Sequence, residues 1–149
     1  MSQAHEFAHL LDDAARHAKA VPQIDPKGEL SLADAYAIQS ASIQRRVARG
    51  ERRVGVKMGF TSRAKMVQMG IEDVIWGRLS SGMQVEEGAP LKFARFVHPR
   101  VEPELAFVLK KPLAGDVTAA EALAAVTSPA SGFFSTKASS GSTLSLIHI

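Results

Sequence analysis

Cysteine is absent from all 149 residues, which excludes a disulfide framework and a thiolate metal site and fits a reducing compartment such as the cytoplasm. No segment approaches the roughly 20 consecutive apolar residues that a membrane span requires. The first residues, 1–17, carry Asp12 and Asp13 inside their apolar pattern, which is unlike a signal peptide. Aromatic residues make up only 6%, with one Trp and one Tyr, and none interleaves with the basic run Arg45, Arg46, Arg49, Arg52 and Arg53. The net charge of +3 therefore does not read as a nucleic-acid surface. Those arginines close a predicted helix, where cations suit the negative end of the dipole. Acidic residues stop at Glu121, and there is no internal repeat. The expectation is one domain, located in the cytoplasm, with neither membrane nor nucleic acid as a partner; 46% hydrophobic content suffices to bury roughly two thirds of the unfolded surface.

What is present begins with helices. In residues 3–20, Phe7, Leu10, Leu11, Ala14, Ala15 and Ala18 recur at helical spacing, with Asp12, Asp13 and Lys19 on other faces. Pro22, Pro26 and Gly28 then mark a loop. Ser31 is the N-cap of a second helix with Asp34 in the capping-box position; Leu32, Ala35, Tyr36, Ile43 and Val47 give its apolar stripe and Gly50 its stop. Val54, Val56, Met58 and Phe60 alternate with Gly55, Lys57 and Gly59, the period of a strand with one nearly bare face. Residues 62–69 read as a short helix stopped by Gly70. Brief runs at 83–85 and 91–97, punctuated by glycine and proline, predict further short strands. Residues 101–109 form the clearest later strand, and Thr118 with Glu121 opens a helix to about residue 126. Residues 127–149 are rich in Ser, Thr and Gly and show no periodic pattern, which reads as a disordered tail.

Alternation on the later strand puts Glu102 and Glu104 on one face, where two carboxylates can ligate one hard divalent cation together with waters and substrate oxygens. A solvated outer face is the plainer reading of Glu-x-Glu, but the apolar run 105–109 that follows is unusual for one. Lys57, between glycines, suits contact with an anionic substrate or proton transfer; its alternative is a snorkelling lysine at a strand edge. Thr61 and Ser62 can bind a carboxylate at the next helix or simply cap it. His98 before Pro99 is a candidate base or ligand, though a single histidine is more often structural.

Taken together, Gly55-Val56-Lys57-Met58-Gly59-Phe60-Thr61-Ser62, then Met69-Gly70-Ile71 and Trp76-Gly77-Arg78-Leu79, then Pro99-Arg100-Val101-Glu102-Pro103-Glu104-Leu105-Ala106-Phe107, resemble the hydratase and decarboxylase family of aromatic meta-cleavage pathways, within the fumarylacetoacetase superfamily. The resemblance covers residues 7–126. It implies an α+β fold, in which N-terminal helices precede a partial mixed β-region of the fumarylacetoacetase-like type. It also implies Mg²⁺ or Mn²⁺ held by three glutamates, two of them matching Glu102 and Glu104, with Lys57 assisting proton transfer. The implied substrate is a small 2-oxo unsaturated acid. The residue before the aromatic-Gly pair tends to be acidic in the hydratases and aliphatic in the decarboxylases; here it is Ile75, an expected substrate-binding residue. That points to decarboxylation of 2-oxo-3-hexenedioate (4-oxalocrotonate), with 2-keto-4-pentenoate hydratase as the alternative. Family members imply a homo-oligomer and, for some decarboxylases, a complex with the partner hydratase.

The sequence also departs from the family. Family chains run about another hundred residues and supply the third glutamate from a Glu-x-x-Asp-Ser-Arg segment, absent here. Residues 1–126 are accordingly expected to be the N-terminal part of such a domain, truncated, and residues 127–149 a non-family, disordered or artefactual tail. A chain so shortened is expected to hold its cation weakly, and an inactive fragment or a noncatalytic association partner is the further alternative.

Overall fold

The computed structural model describes residues 2–86, 89–138 and 147–148. It divides into a first unit, residues 1–100 with 136–149, and a second, residues 101–135.

The first unit is built on two helices, α1 (Gln3–Arg16) and α2 (Leu32–Ala48). Ser31 caps α2 as its sequence predicts: its hydroxyl accepts from the Asp34 N–H at 3.1 Å and donates to the Asp34 carboxylate at 2.6 Å. Gly50, with φ +97°, takes the chain out of α2 in the left-handed region that a side chain disfavours. Ala8 and Leu11 of α1 pack on Ile38 of α2, with Phe7, Val21, Ile24 and Leu30 around them. Ser42 closes the contact by donating to the Ala8 carbonyl at 3.1 Å. The buried stripe of α2 is Ile38, Ser42, Ile43 and Arg46, rotated from the expected one; Leu32 and Val47 are exposed. α1 also ends four residues earlier than its pattern allowed, because Ala18 adopts φ +50°.

The expected place of Asp12 on another face is corrected. Its side chain is fully buried and gathers three arginines of α2. Arg49 holds it with two bonds of 2.6 and 2.8 Å, Arg45 adds one of 2.9 Å, and Arg46 approaches at 3.3 Å. Burial alone would raise the Asp12 pKa. Hydrogen bonds from Arg49 and Arg45, with the charges of Arg49 and Arg46, outweigh it and hold the carboxyl below its ordinary value. The arginines at the end of α2 therefore tie two helices together as well as matching a dipole.

β1 (Arg53–Gly59) and β2 (Ile75–Ser80) pair antiparallel, joined through α3 (Arg63–Met69), which Gly70 ends at φ +65°. The expected strands at 83–85 and 91–97 are corrected: Ser81–Met83 and Phe93–Arg95 are 3₁₀ turns. Among the described residues, runs this short between glycine and proline find no partner strand, and the first is drawn into a turn by Glu51, which accepts from the Ser80 hydroxyl at 2.5 Å and the Gly82 N–H at 3.2 Å. Leu79 and Met83 then pack on Ile43 of α2.

In the second unit β3 (Pro99–Leu109) pairs with β4 (Val126–Ala138), and α4 (Ala119–Ala125) lies between them in the chain. Thr118 and Glu121 form the predicted capping box, and Glu121's carboxyl is held below its ordinary value by the backbone and hydroxyl of Thr118. β4 occupies residues where composition gave no periodic signal. Its last residues, in the first unit, pair with β5 (Ile147–His148), Thr136 opposite His148 and Lys137 opposite Ile147. The remainder of the expected tail, 139–146 and 149, lies outside the described residues. Among the described residues no helix is long and apolar enough to cross a membrane. The architecture is α+β, as expected.

Candidate active site

Side chains directly opposite in an antiparallel pair share a face. The register Gly55–Leu79, Lys57–Gly77 and Gly59–Ile75 thus puts Lys57 on one face with three glycines, Leu79 and Ile75. This face, and not the apolar one, is turned inward. Lys57 is 6% exposed and Leu79 is buried, whereas Val54, Val56 and Met58 are exposed. The bare face inferred from the sequence is real, and its orientation is opposite to what hydropathy favours.

The glycines serve different ends. A Cβ on Gly59 would stand 2.9 Å from Ile75 Cγ1, so the isoleucine lies directly against the strand backbone two residues from Lys57. A Cβ on Gly77, across from Lys57, would meet nothing within 4 Å. Space beside the lysine is therefore left by the absent side chain of Gly77, while Gly59 is filled by Ile75. Just beyond, Phe60 adopts φ +54°, which costs a non-glycine residue of order 1 kcal/mol and turns the chain from β1 to Thr61 and Ser62. Both are exposed, and Ser62 is the N-cap of α3 without a side-chain capping bond. The hydroxyl is not consumed by the helix.

β2 is fixed from α2 by Tyr36, which the sequence placed in the helix's apolar stripe, and by Gln39, which periodicity did not single out. Tyr36 donates no ladder bond; its hydroxyl accepts from the Trp76 N–H at 3.2 Å. Gln39 donates to the Trp76 carbonyl at 3.1 Å and accepts from the Arg78 N–H at 3.2 Å. The outward backbone groups at 76 and 78 are thereby satisfied by side chains where a third strand would otherwise satisfy them. Tyr36 stacks on Trp76 at 5.0 Å, and the Arg78 guanidinium sits 4.6 Å from the Trp76 ring. The one available signal for Gln39 was its place three residues after Tyr36 of the apolar stripe, on the same side of α2.

Lys57, Thr61, Ser62 and Ile75 all belong to the first unit; Glu102 and Glu104 belong to the second. β3 is unbroken from residue 99 to 109. Glu104 is exposed, as is His98 before the strand, and the Glu102 side chain lies outside what the structure describes. Among the described residues, no group of three or more His, Cys, Asp or Glu is gathered in a metal-binding arrangement.

No family model matches the chain. It is 54% identical over 120 residues to a 4-oxalocrotonate decarboxylase of Pseudomonas sp., a match covering 80% of this chain and 47% of that protein. A 2-hydroxyhexa-2,4-dienoate hydratase of Comamonas testosteroni is 39% identical over 119 residues, 77% of this chain and 45% of that one. Among solved structures, 4-oxalocrotonate decarboxylase from Pseudomonas putida G7, complexed with magnesium and adipate, superposes with a TM-score of 0.79 at 32% identity, over 91% of this chain and 51% of that one. The chain spans about half the length of these relatives, and over that half it is a homologue of decarboxylases and hydratases with their fold.

Proposed function

We propose that this chain carries part of the machinery of a divalent-cation-dependent lyase for small 2-oxo unsaturated dicarboxylates, with decarboxylation of 2-oxo-3-hexenedioate (4-oxalocrotonate) as its reaction. The observation that carries this reading is that identity reaches 54% with a decarboxylase, in a range of 37–54% for decarboxylases, against 36–41% for hydratases. Aliphatic Ile75, pressed on Gly59 beside Lys57, agrees with it, since an alkyl side chain performs no acid or base step there.

Glu102 and Glu104, alternating on an unbroken strand, fit a hard cation as two of its oxygen donors; Mg²⁺ is the ion we assign, and the same set would accept Mn²⁺. Such a cation would supply Lewis-acid polarisation of the substrate's 2-oxo group, which would draw in, through the conjugated double bond, the electron pair released when the distal carboxylate leaves as CO₂. Lys57 presents a buried ammonium on a face where Gly77, across the ribbon from it, leaves space for a ligand close to the backbone. There it attracts a substrate carboxylate and holds, at Nζ, the proton that the carbon needs once CO₂ has gone. Thr61 and Ser62, exposed where Phe60 turns the chain, offer hydroxyls to a second carboxylate. We further propose that the parent enzyme is a cytoplasmic homo-oligomer and associates with its partner hydratase, and that residues 127–149 stand outside the catalytic domain.

The test is CO₂ release and ultraviolet change on 2-oxo-3-hexenedioate with Mg²⁺. It is run on this chain and on a fusion of it to the remaining half of the Pseudomonas relative. The fusion is expected to be active and to lose at least a hundredfold on Glu104→Gln. An inactive fusion beside an active relative overturns the reading; hydration of 2-keto-4-pentenoate in its place assigns the hydratase.

A further inference from the structure

Apart from the Lys57 face, the first unit contains a cavity of about 480 Å³ that none of Lys57, Thr61, Ser62 or Ile75 lines. It lies where α1 and α2 end, against the 3₁₀ turns at 81–83 and 93–95. Its charged walls are Arg16, Arg46, Arg49 and Arg95, opposed by Asp12 and Glu51. Four guanidinium groups against two carboxylates leave a surplus of positive charge. The two helix ends bring roughly half a negative unit each, so about one unit of positive charge remains.

Both carboxylates act on Arg46 through their charges, but the hydrogen bonds they accept come from other groups. Asp12 spends both oxygens on Arg49 and one of them also on Arg45. Glu51 is engaged by the Ser80 hydroxyl and the Gly82 N–H. Arg46 is the arginine that this arrangement leaves over. Its side chain is 7% exposed, the least of the three around Asp12, and it reaches that carboxylate only as an ion contact of 3.3 Å. Its buried Nε makes no hydrogen bond. Burying a guanidinium costs several kcal/mol unless its donors are matched, so a group of this kind beside an empty volume is short of an acceptor. His17 also lines the space, and its Nδ1 already donates to the Asp13 carbonyl at 2.8 Å, which leaves Nε2 for another partner.

We propose that this cavity binds one small oxyanion of the carboxylate or phosphate class, held chiefly by Arg46 and Arg95. Guanidinium groups suit both ligands because their N–H pairs match two oxygens at once. The volume admits an anion of a few heavy atoms, and no residue of the lysine-bearing face takes part, so this site stands or falls apart from the proposed lyase reaction.

Titration calorimetry and amide NMR shifts with inorganic phosphate and with acetate, at low ionic strength, test it on the whole chain. Saturable binding of either at one site is expected, with shifts at residues 16–17, 46–49 and 94–96. Arg95→Gln and Arg46→Met should each weaken it at least tenfold, and Lys27→Gln, on an exposed loop, should not. Arg95 is on an exposed turn, so its variant decides the matter even if the Arg46 variant does not fold. No saturable binding, an unchanged affinity in folded Arg95→Gln, or an equal loss in Lys27→Gln would overturn the proposal.

Discussion

Replacing Asp12 by asparagine should be among the most damaging single changes available to the first unit. The carboxylate accepts three charge-assisted bonds, from Arg49 twice and Arg45 once, each worth about 1.5–3 kcal/mol where it is fully buried. That gross figure must be discounted, because the Arg45 and Arg49 side chains stay 31% and 29% exposed and can return to water. Arg46, at 7%, cannot, and loses its contacting carboxylate, keeping only the charge of Glu51. Breaking a buried pair in this way costs about 3–5 kcal/mol. For a chain of this size each kcal/mol moves Tm by roughly 2–4 °C, so a fall of about 6–20 °C is expected. The single tryptophan, Trp76, lies in this unit, and its fluorescence in urea and heat reads the change directly. Arg46→Met is the contrasting case: it removes the cation, leaves Asp12 paired with Arg49 and Arg45, and should cost less than about 1 kcal/mol. If Asp12→Asn also costs less than about 1 kcal/mol, the cluster does not hold α1 to α2.

The same carboxylate predicts a pH response. Its folded pKa lies below the unfolded value, so its contribution is complete above about pH 4 and disappears as pH falls through the folded pKa. The stability gap between wild type and Asp12→Asn should therefore narrow below about pH 4 and stay constant from pH 5 to 8 in urea titrations; a gap that widens in acid would reverse the sign. Gly59→Ala should cost about 1–3 kcal/mol by crowding Ile75, and adding Ile75→Ala should restore most of it. A single substitution without cost would mean that the two residues are not in contact. Gly70→Ala, at φ +65° with open space around it, should cost about 1 kcal/mol, and Gly70→Asn distinctly less. Equal losses in equilibrium unfolding would remove backbone strain as the cause.

Local chemistry was the most legible part of this sequence. Ser31 with Asp34, Gly50, Gly70 and Thr118 with Glu121 mark helix ends through bonds between near neighbours, and the structure places them accordingly. The Lys57 strand and its bare face were readable from alternating glycines. Its orientation was not, because period two identifies two faces without saying which meets α2. Asp12 was misplaced for a related reason: its arginines lie more than thirty residues away, and helical periodicity cannot pair charges across two helices. β2 escaped notice because its residues, including Trp76, Gly77 and Arg78, do not alternate in hydropathy; α2 and β1 satisfy them instead. For Glu102 and Glu104, alternation gave the shared side of β3, and the metal role came from resemblance alone.

Tyr36 and Gln39 close one edge of the β1–β2 pair. With the outward groups at 76 and 78 already occupied, that rail of the ribbon has nothing left there to template a newcomer. The exposed Val54, Val56 and Met58 of β1 project from the outward face of the ribbon. A strand arriving at the closed edge would have to displace Tyr36 and Gln39, so the helical side acts as a built-in terminus against end-to-end stacking.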